Sequence, residues 1–164
     1  STGVRHLGLT TVNGATLESA IRGSSGPILI LDGDAHPWLA SEDAVVPQDR
    51  RVAILARNRT PLVDAATIVL PLASWVETEG SYTSSTGRVQ VARRAFPPLG
   101  QARPPWEVVY RLAVELGIEQ ERGISPRDLF AEMAAEVAAF SGMTWGRLAA
   151  DTGMRVHEEM HRVG

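Results

Sequence analysis

The 164-residue chain contains no cysteine. That absence excludes a disulfide framework and any cysteine-ligated iron–sulfur cluster within it. It also lacks any apolar run approaching the about 20 residues that span a bilayer. Ser1–Leu9 has no hydrophobic signal core, so a cytoplasmic protein is expected, and a first residue other than Met points to a processed or excised chain. The net charge of −3 leaves no basic excess to favour nucleic acid or anionic lipid. No repeat or low-complexity tract is visible. The rest of the composition is ordinary: 44% apolar and 21% charged residues suit one globular domain with a real core.

In order, the pattern reads as α/β and then α. Residues 1–14 read as a flexible N-terminal segment, 15–152 as an α/β domain and 153–164 as a polar tail. Inside the domain, 15–71 form a sheet half, 72–105 a loop or hairpin excursion and 106–152 a helical part. Ala15–Arg22, with Leu17 and Ile21 four apart and Gly23 behind, predicts a short helix. Pro27–Leu31 is a continuous apolar run, hence a buried parallel strand, and Trp38–Ala44 a short helix. Val52–Ala56 and Ile68–Leu70 supply two more strands, with Thr60–Ala66 as a short helix between them. This alternation predicts a small Rossmann-like parallel sheet. Ile68–Leu70 reads as covered on both faces, and Pro71 ends that strand or makes it an edge. Gly80 and Gly87 bracket the hydroxyl-rich Ser81–Thr86, a loop or hairpin.

Beyond the proline breaks, Trp106–Leu116 places Val109, Leu112, Ala113 and Leu116 on one face, with Gly117 as a cap. Ser125-Pro126-Arg127-Asp128 starts a helix with a Ser cap and a capping-box acid. That helix carries Leu129, Met133, Val137 and Phe140 in register and ends at Gly142; Thr144–Asp151 predicts a last short helix stopped by Gly153.

Three constellations carry candidate chemistry. His157-Glu158-Glu159-Met160-His161 fits H-E-x-x-H, which on a helix pairs two zinc-ligating histidines with a glutamate base. Only Arg162-Val163-Gly164 follow, no apolar face anchors the segment and no third ligand is indicated, so a metal role for His157, Glu158 and His161 is rejected in favour of a solvated tail. Asp32-Gly33-Asp34-Ala35-His36-Pro37 follows the first strand directly, where ligands sit in open parallel sheets, although Asp and Gly there also suit a plain turn. The third is the Gly80–Arg88 excursion. Trp38, Trp75, Trp106 and Trp145 read as core or interdomain anchors.

A long ordered set of residues resembles the late part of the molybdopterin oxidoreductase large subunit. The matching residues are Ala66–Pro71, Glu77, Gly80, Gly87-Arg88, Gln90, Pro97-Pro98, Gly100, Ala102-Arg103, Trp106-Glu107, Leu112-Ala113 and Leu116-Gly117. The resemblance implies that the first strand is followed by a Gly-x-Asn-Pro loop, which Gly33 and Pro37 fit with His36 near the Asn position. It also implies that the Gly80–Arg88 stretch lies near a pterin cofactor. There this chain departs from the family, carrying Ser84 and Thr86 where an Asn and a Glu are usual. The loss of an amide and a carboxylate removes donors and acceptors that a polar cofactor needs. Gly33, Gly80, Ser84, Thr86, Gly87 and Arg88 are therefore vestigial cofactor-site candidates, with no catalytic residue expected.

These departures resemble the G (75 kDa) subunit branch of NADH–quinone oxidoreductase, respiratory complex I, which implies a non-catalytic structural domain. It further implies no cofactor in this chain, iron–sulfur clusters elsewhere in the parent, and partners among the parent's other domains and subunits. A peripheral place on the inner face of the membrane follows through those subunits. The alternative is a fragment of a molybdopterin enzyme of the formate dehydrogenase type, in which a β-barrel domain is expected beyond Gly164. A second alternative is a stand-alone small-ligand module with a closed pocket over Gly33 and Gly80. An apolar patch along Leu72–Trp75 is expected where absent domains would pack.

Overall fold

In the computed structural model, residues 19, 22, 23, 25–31, 49–118, 122–150 and 153–156 are described. The chain is α/β, and its described residues fall into two compact units of interleaved segments. One unit takes the stretch up to Glu77 together with Phe96–Ile118; the other takes Thr78–Ala95 and the residues from Arg122 onward.

The first unit is built on a three-stranded parallel sheet in the order β1 (Ile28–Leu31), β2 (Val52–Ala56), β3 (Ile68–Pro71). Ile30 pairs with Ile54, and Ile54 with Val69, which sets the register across all three strands. Helix α1 (Pro61–Ala65) makes the crossover between β2 and β3. Thr60 caps it by accepting from the Val63 N–H at 3.3 Å, and Pro61 occupies a first-turn position that needs no donor. One sheet face carries Ile28, Ile30, Val52, Ile54 and Ala56, and packs with Leu62, Val63 and Ala66 into the core of this unit.

Two expectations are corrected on the strands. Leu29, Leu31, Ile68, Val69 and Leu70 are exposed, so β1 and β3 are not strands covered on both faces. They are the outer strands of a three-stranded sheet, and part of each stays open to water. Along Leu72–Trp75 the exposure is also narrower than expected: Leu72 and Ala73 are buried, and Trp75 alone is fully open at 70%. The reason is a bridge past the end of β3, where the Ala73 N–H donates to Arg103 O at 2.8 Å and Arg103 N–H to Pro71 O at 3.2 Å.

Helix α2 (Pro105–Glu115) ends as the glycine signal requires. Gly117 has φ +69°, its N–H donates to Val114 O, and Ile118 N–H donates to Ala113 O. This is a Schellman closure that a side chain with a Cβ resists. The face of α2 expected to be core is not: Val109, Leu112 and Leu116 are exposed and the helix buries no residue.

The second unit joins an antiparallel sheet to helices. β4 (Gly80–Thr83) and β5 (Arg88–Ala92) form a hairpin, and β6 (Met154–Arg155) pairs with β5. Val89 points inward to a core with Phe130, Ala134, Ala139, Phe140, Met143 and Leu148. Helix α3 (Pro126–Glu136) opens with the full capping box: Ser125 Oγ accepts from Asp128 N–H, and Asp128 accepts from Ser125 N–H. It stops six residues short of Gly142. Val137 is extended, and a 3-10 turn (Ala138–Phe140) follows. This correction has a packing cause, because the break places Ala139, Phe140 and Met143 together in the core. Phe130 meets Phe140 and Trp145 edge-on at 6.5 and 6.1 Å. Helix α4 (Trp145–Ala150) buries Leu148 against the same cluster.

Of the helix expected over Ala15–Arg22, Ser19 and Arg22 are described and helical; the rest of it, and Trp38–Ala44, lie outside the described residues. No helix among the described residues is long and apolar enough to cross a membrane.

Candidate functional site

The excursion singled out by sequence is a tight hairpin. Tyr82 pairs with Gln90 and Thr83 with Val89, leaving Ser84-Ser85-Thr86-Gly87 as the turn. Ser84 N–H donates to Arg88 O at 2.8 Å, and Gly87 N–H returns to Ser84 O at 3.1 Å. Ser84 Oγ accepts from Arg88 N–H at 3.1 Å and lies 2.9 Å from Thr86 Oγ1. The Ser84 and Thr86 hydroxyls thus both engage within the turn. Gly87 sits at φ +76°, and a Cβ there would press on Val156 Cγ2 at 3.0 Å. Its carbonyl accepts from Val156 N–H at 2.9 Å, so β6 closes one side of the turn. Gly80 has no such demand, since a Cβ would meet Tyr82 at ordinary contact distance. Arg88 stands opposite Arg155 in the β5–β6 register.

Glu77, one of the residues that match the family pattern, ties the loop structure of its own unit. Its carboxylate accepts from Ser74 N–H at 2.8 Å, Ser74 Oγ–H at 2.7 Å and Leu99 N–H at 3.1 Å. The Ser74 backbone and hydroxyl bonds hold its pKa below the usual glutamate range, outweighing desolvation.

Sequence reasoning passed over Arg57-Asn58-Arg59, the loop beyond β2. It borders an open depression at the carboxyl ends of β2 and β3 with Asp64, Val69 and Pro71. Arg59 Nε donates to Asp64 Oδ1 at 2.7 Å, and that bond raises the guanidinium pKa further. The signal available was position alone, since ligands in parallel sheets collect at such strand ends.

Asp32, Gly33, Asp34, His36 and Pro37 lie outside the described residues, as do His157, Glu158 and His161. Among the described residues, no group of three or more His, Cys, Asp or Glu side chains is placed to hold a metal ion. Trp106 Nε1 is buried and meets no hydrogen-bond partner among the described residues.

In a parallel sheet with a helical crossover, ligands collect beyond the carboxyl ends of the strands. The chain belongs to the molybdopterin oxidoreductase family, whose model matches residues 20–115. It is 37% identical over 93 residues to F420-dependent formate dehydrogenase 2 subunit alpha of Methanococcus maripaludis, covering 56% of this chain and 14% of that protein. It is 33% identical over 114 residues to F420-dependent formate dehydrogenase subunit alpha of Methanocaldococcus jannaschii, covering 69% and 16%. It is also 33% identical over 100 residues to the G-type subunit of NADH-quinone oxidoreductase of Pseudomonas putida, covering 60% and 11%. The chain therefore matches less than a fifth of the length of these relatives.

Among the described candidates, Ser84, Thr86 and Gly87 do not by themselves form a pterin cradle. Ser84 and Thr86 bond each other and the turn, and Gly87 is closed over by Val156. No amide or carboxylate side chain occurs in the turn to replace the recognition these hydroxyls have given up.

Proposed function

We propose that this chain is a non-catalytic structural segment of a longer oxidoreductase polypeptide, of the NADH–quinone oxidoreductase G type. The observation that carries the reading is the self-satisfied turn: Ser84 and Thr86 hold each other at 2.9 Å where a cofactor-facing turn needs outward polar groups. Gly33, Gly80, Ser84, Thr86, Gly87 and Arg88 are on this reading the residue of a former site. The similarity to the Pseudomonas putida protein supports it. Iron–sulfur clusters then belong to other parts of the parent. Partner subunits hold the assembly at the inner face of a membrane.

A second reading has its own support, because two formate dehydrogenase alpha subunits align at 37% and 33% identity. Here the segment belongs to a molybdopterin enzyme, and the pterin is gripped mainly by other parts of the same polypeptide.

One experiment separates the two. The gene is tagged at its native locus, in cells that make the pterin cofactor, and the purified assembly is assayed for molybdenum, iron, NADH–quinone reduction and formate oxidation. Iron with NADH–quinone activity and no stoichiometric molybdenum is the expected result. About one molybdenum per chain with formate oxidation overturns it in favour of the second reading.

A further inference from the structure

The second unit carries an open cleft between α3 and the start of α4, with a volume of about 480 Å³. That lies within the about 300–1,000 Å³ of small-molecule sites. Arg127, Ala131 and Ala135 line one wall, at the four-residue spacing that puts them on one stripe of α3. The break at Val137 and the 3-10 turn bring Gly142–Gly146 round to the other wall. Small residues keep the space open. Ala131 and Ala135 end at a methyl, and a Cβ added at Gly142 or Gly146 would meet nothing within 4 Å. Met143 is a buried apolar part of the lining, and Trp145 a half-buried aromatic one, held edge-on by Phe130 at 6.1 Å. Arg127 is the single charged side chain on the cleft among the described residues. The acids near it along α3 have partners already: Asp128 accepts from the Ser125 hydroxyl and N–H, and Glu132 pairs with Arg122 at 2.6 Å. Arg127 itself makes no hydrogen bond or ion pair among the described residues.

We propose that this cleft binds a small organic carboxylate with an apolar, aromatic body. Charge selects the head group, because the guanidinium fork matches the two oxygens of a carboxylate. Thr144 Oγ1 accepts from Arg147 N–H at 3.4 Å, which leaves its O–H to donate to the same head group. The rest of the lining selects the body. Met143 and the alanine methyls offer no polar recognition, so what lies against them is apolar, and the Trp145 indole favours a flat ring. A cationic ligand would meet Arg127 as a like charge, with no acid on the cleft among the described residues to offset it. The lining shares no residue with the cofactor-site candidates, so the proposal goes beyond the structural-segment reading.

The test measures binding of phenylacetate to the purified full chain by saturation-transfer NMR and equilibrium dialysis, with phenylacetamide, 2-phenylethylamine and acetate as comparison probes. The expected result is saturable binding of phenylacetate, with the neutral amide and acetate about tenfold weaker or more and the amine not bound. Arg127→Gln should lower the phenylacetate affinity about tenfold or more and flatten its dependence on salt. Ala135→Leu, at an exposed position of the same stripe, should fill the cleft and abolish binding with Arg127 intact. Equal affinity for the acid and the amide overturns the proposal, as does an Arg127→Gln chain that binds as well as the parent. Undiminished binding in Ala135→Leu puts the ligand elsewhere and overturns it too. So does the lack of any saturable binding, including the case in which another segment of the polypeptide fills the cleft. Molybdenum, iron and electron transfer enter none of these outcomes, so this inference and the functional reading fail separately.

Discussion

Gly153 shows how one residue can be required twice. Its φ of +96° is hostile to a side chain, and an added Cβ would overlap the Val89 carbonyl oxygen across the β5–β6 pair. Gly142 has a similar φ of +73° but open space around it. Gly153→Ala should therefore destabilise by about 2 kcal/mol or more, and Gly142→Ala by about 1 kcal/mol, when the two are compared by chemical denaturation. Equal losses would mean that the close approach to β5 carries no energy. Glu77 makes a second residue-scale prediction. Its folded pKa is depressed, so the stability it adds is fully present above the ordinary glutamate value near 4.5 and is lost as pH falls through the lower folded value. Asp128, held down first by the Ser125 hydroxyl, acts in the same direction. The denaturation midpoint should fall as pH drops below about 4.5. In Glu77→Gln that acid slope should be shallower, and an unchanged slope would remove Glu77 from the account.

At the scale of elements, the caps are the clearest local instructions. The Ser125–Asp128 box satisfies two backbone donors at the start of α3, with Ser125 Oγ accepting from Asp128 N–H at 3.3 Å and Asp128 accepting from Ser125 N–H at 3.0 Å. Ser125→Ala should cost about 1 kcal/mol, measured by the same unfolding experiment, with Ser125→Asn or Ser125→Thr recovering most of it. The hairpin turn is a different kind of element. The strand register and the Ser84–Arg88 backbone bond hold it, so Thr86→Ala should leave β4–β5 pairing intact, as seen by hydrogen exchange of the Ser84 and Gly87 amides. Rapid exchange at both would show that the Ser84–Thr86 contact, and not the strand register, holds the turn.

For the whole molecule, the contrast between the two sheet faces dominates. Ile54 is fully buried under α1, while Ile68 is 51% exposed on the opposite face. Ile54→Ala should cost about 2–5 kcal/mol in the chain by itself. Ile68→Ala should cost about 1 kcal/mol or less there, because little of its apolar surface has left water.

Sequence by itself settled the elements whose cause is local. Three apolar runs made three parallel strands, Pro61 and Thr60 opened α1, Gly117 closed α2, and Ser125-Pro126-Arg127-Asp128 opened α3. It also singled out the Gly80–Arg88 stretch as a hairpin candidate, because turn chemistry is written in the turn residues. Tertiary structure decided what those elements touch. An aliphatic strand reads the same whether its second face is covered or bare, so the exposure of Leu29, Leu31, Ile68 and Leu70 could not be read from periodicity. The same holds for the open stripe of α2, for the break at Val137 that brings Ala139 and Phe140 into the core, and for β6, whose two residues pair only because Gly153 lets the chain approach Val89. Hydrophobic pattern records a side chain's preference for leaving water; only the folded neighbours determine whether that preference is met.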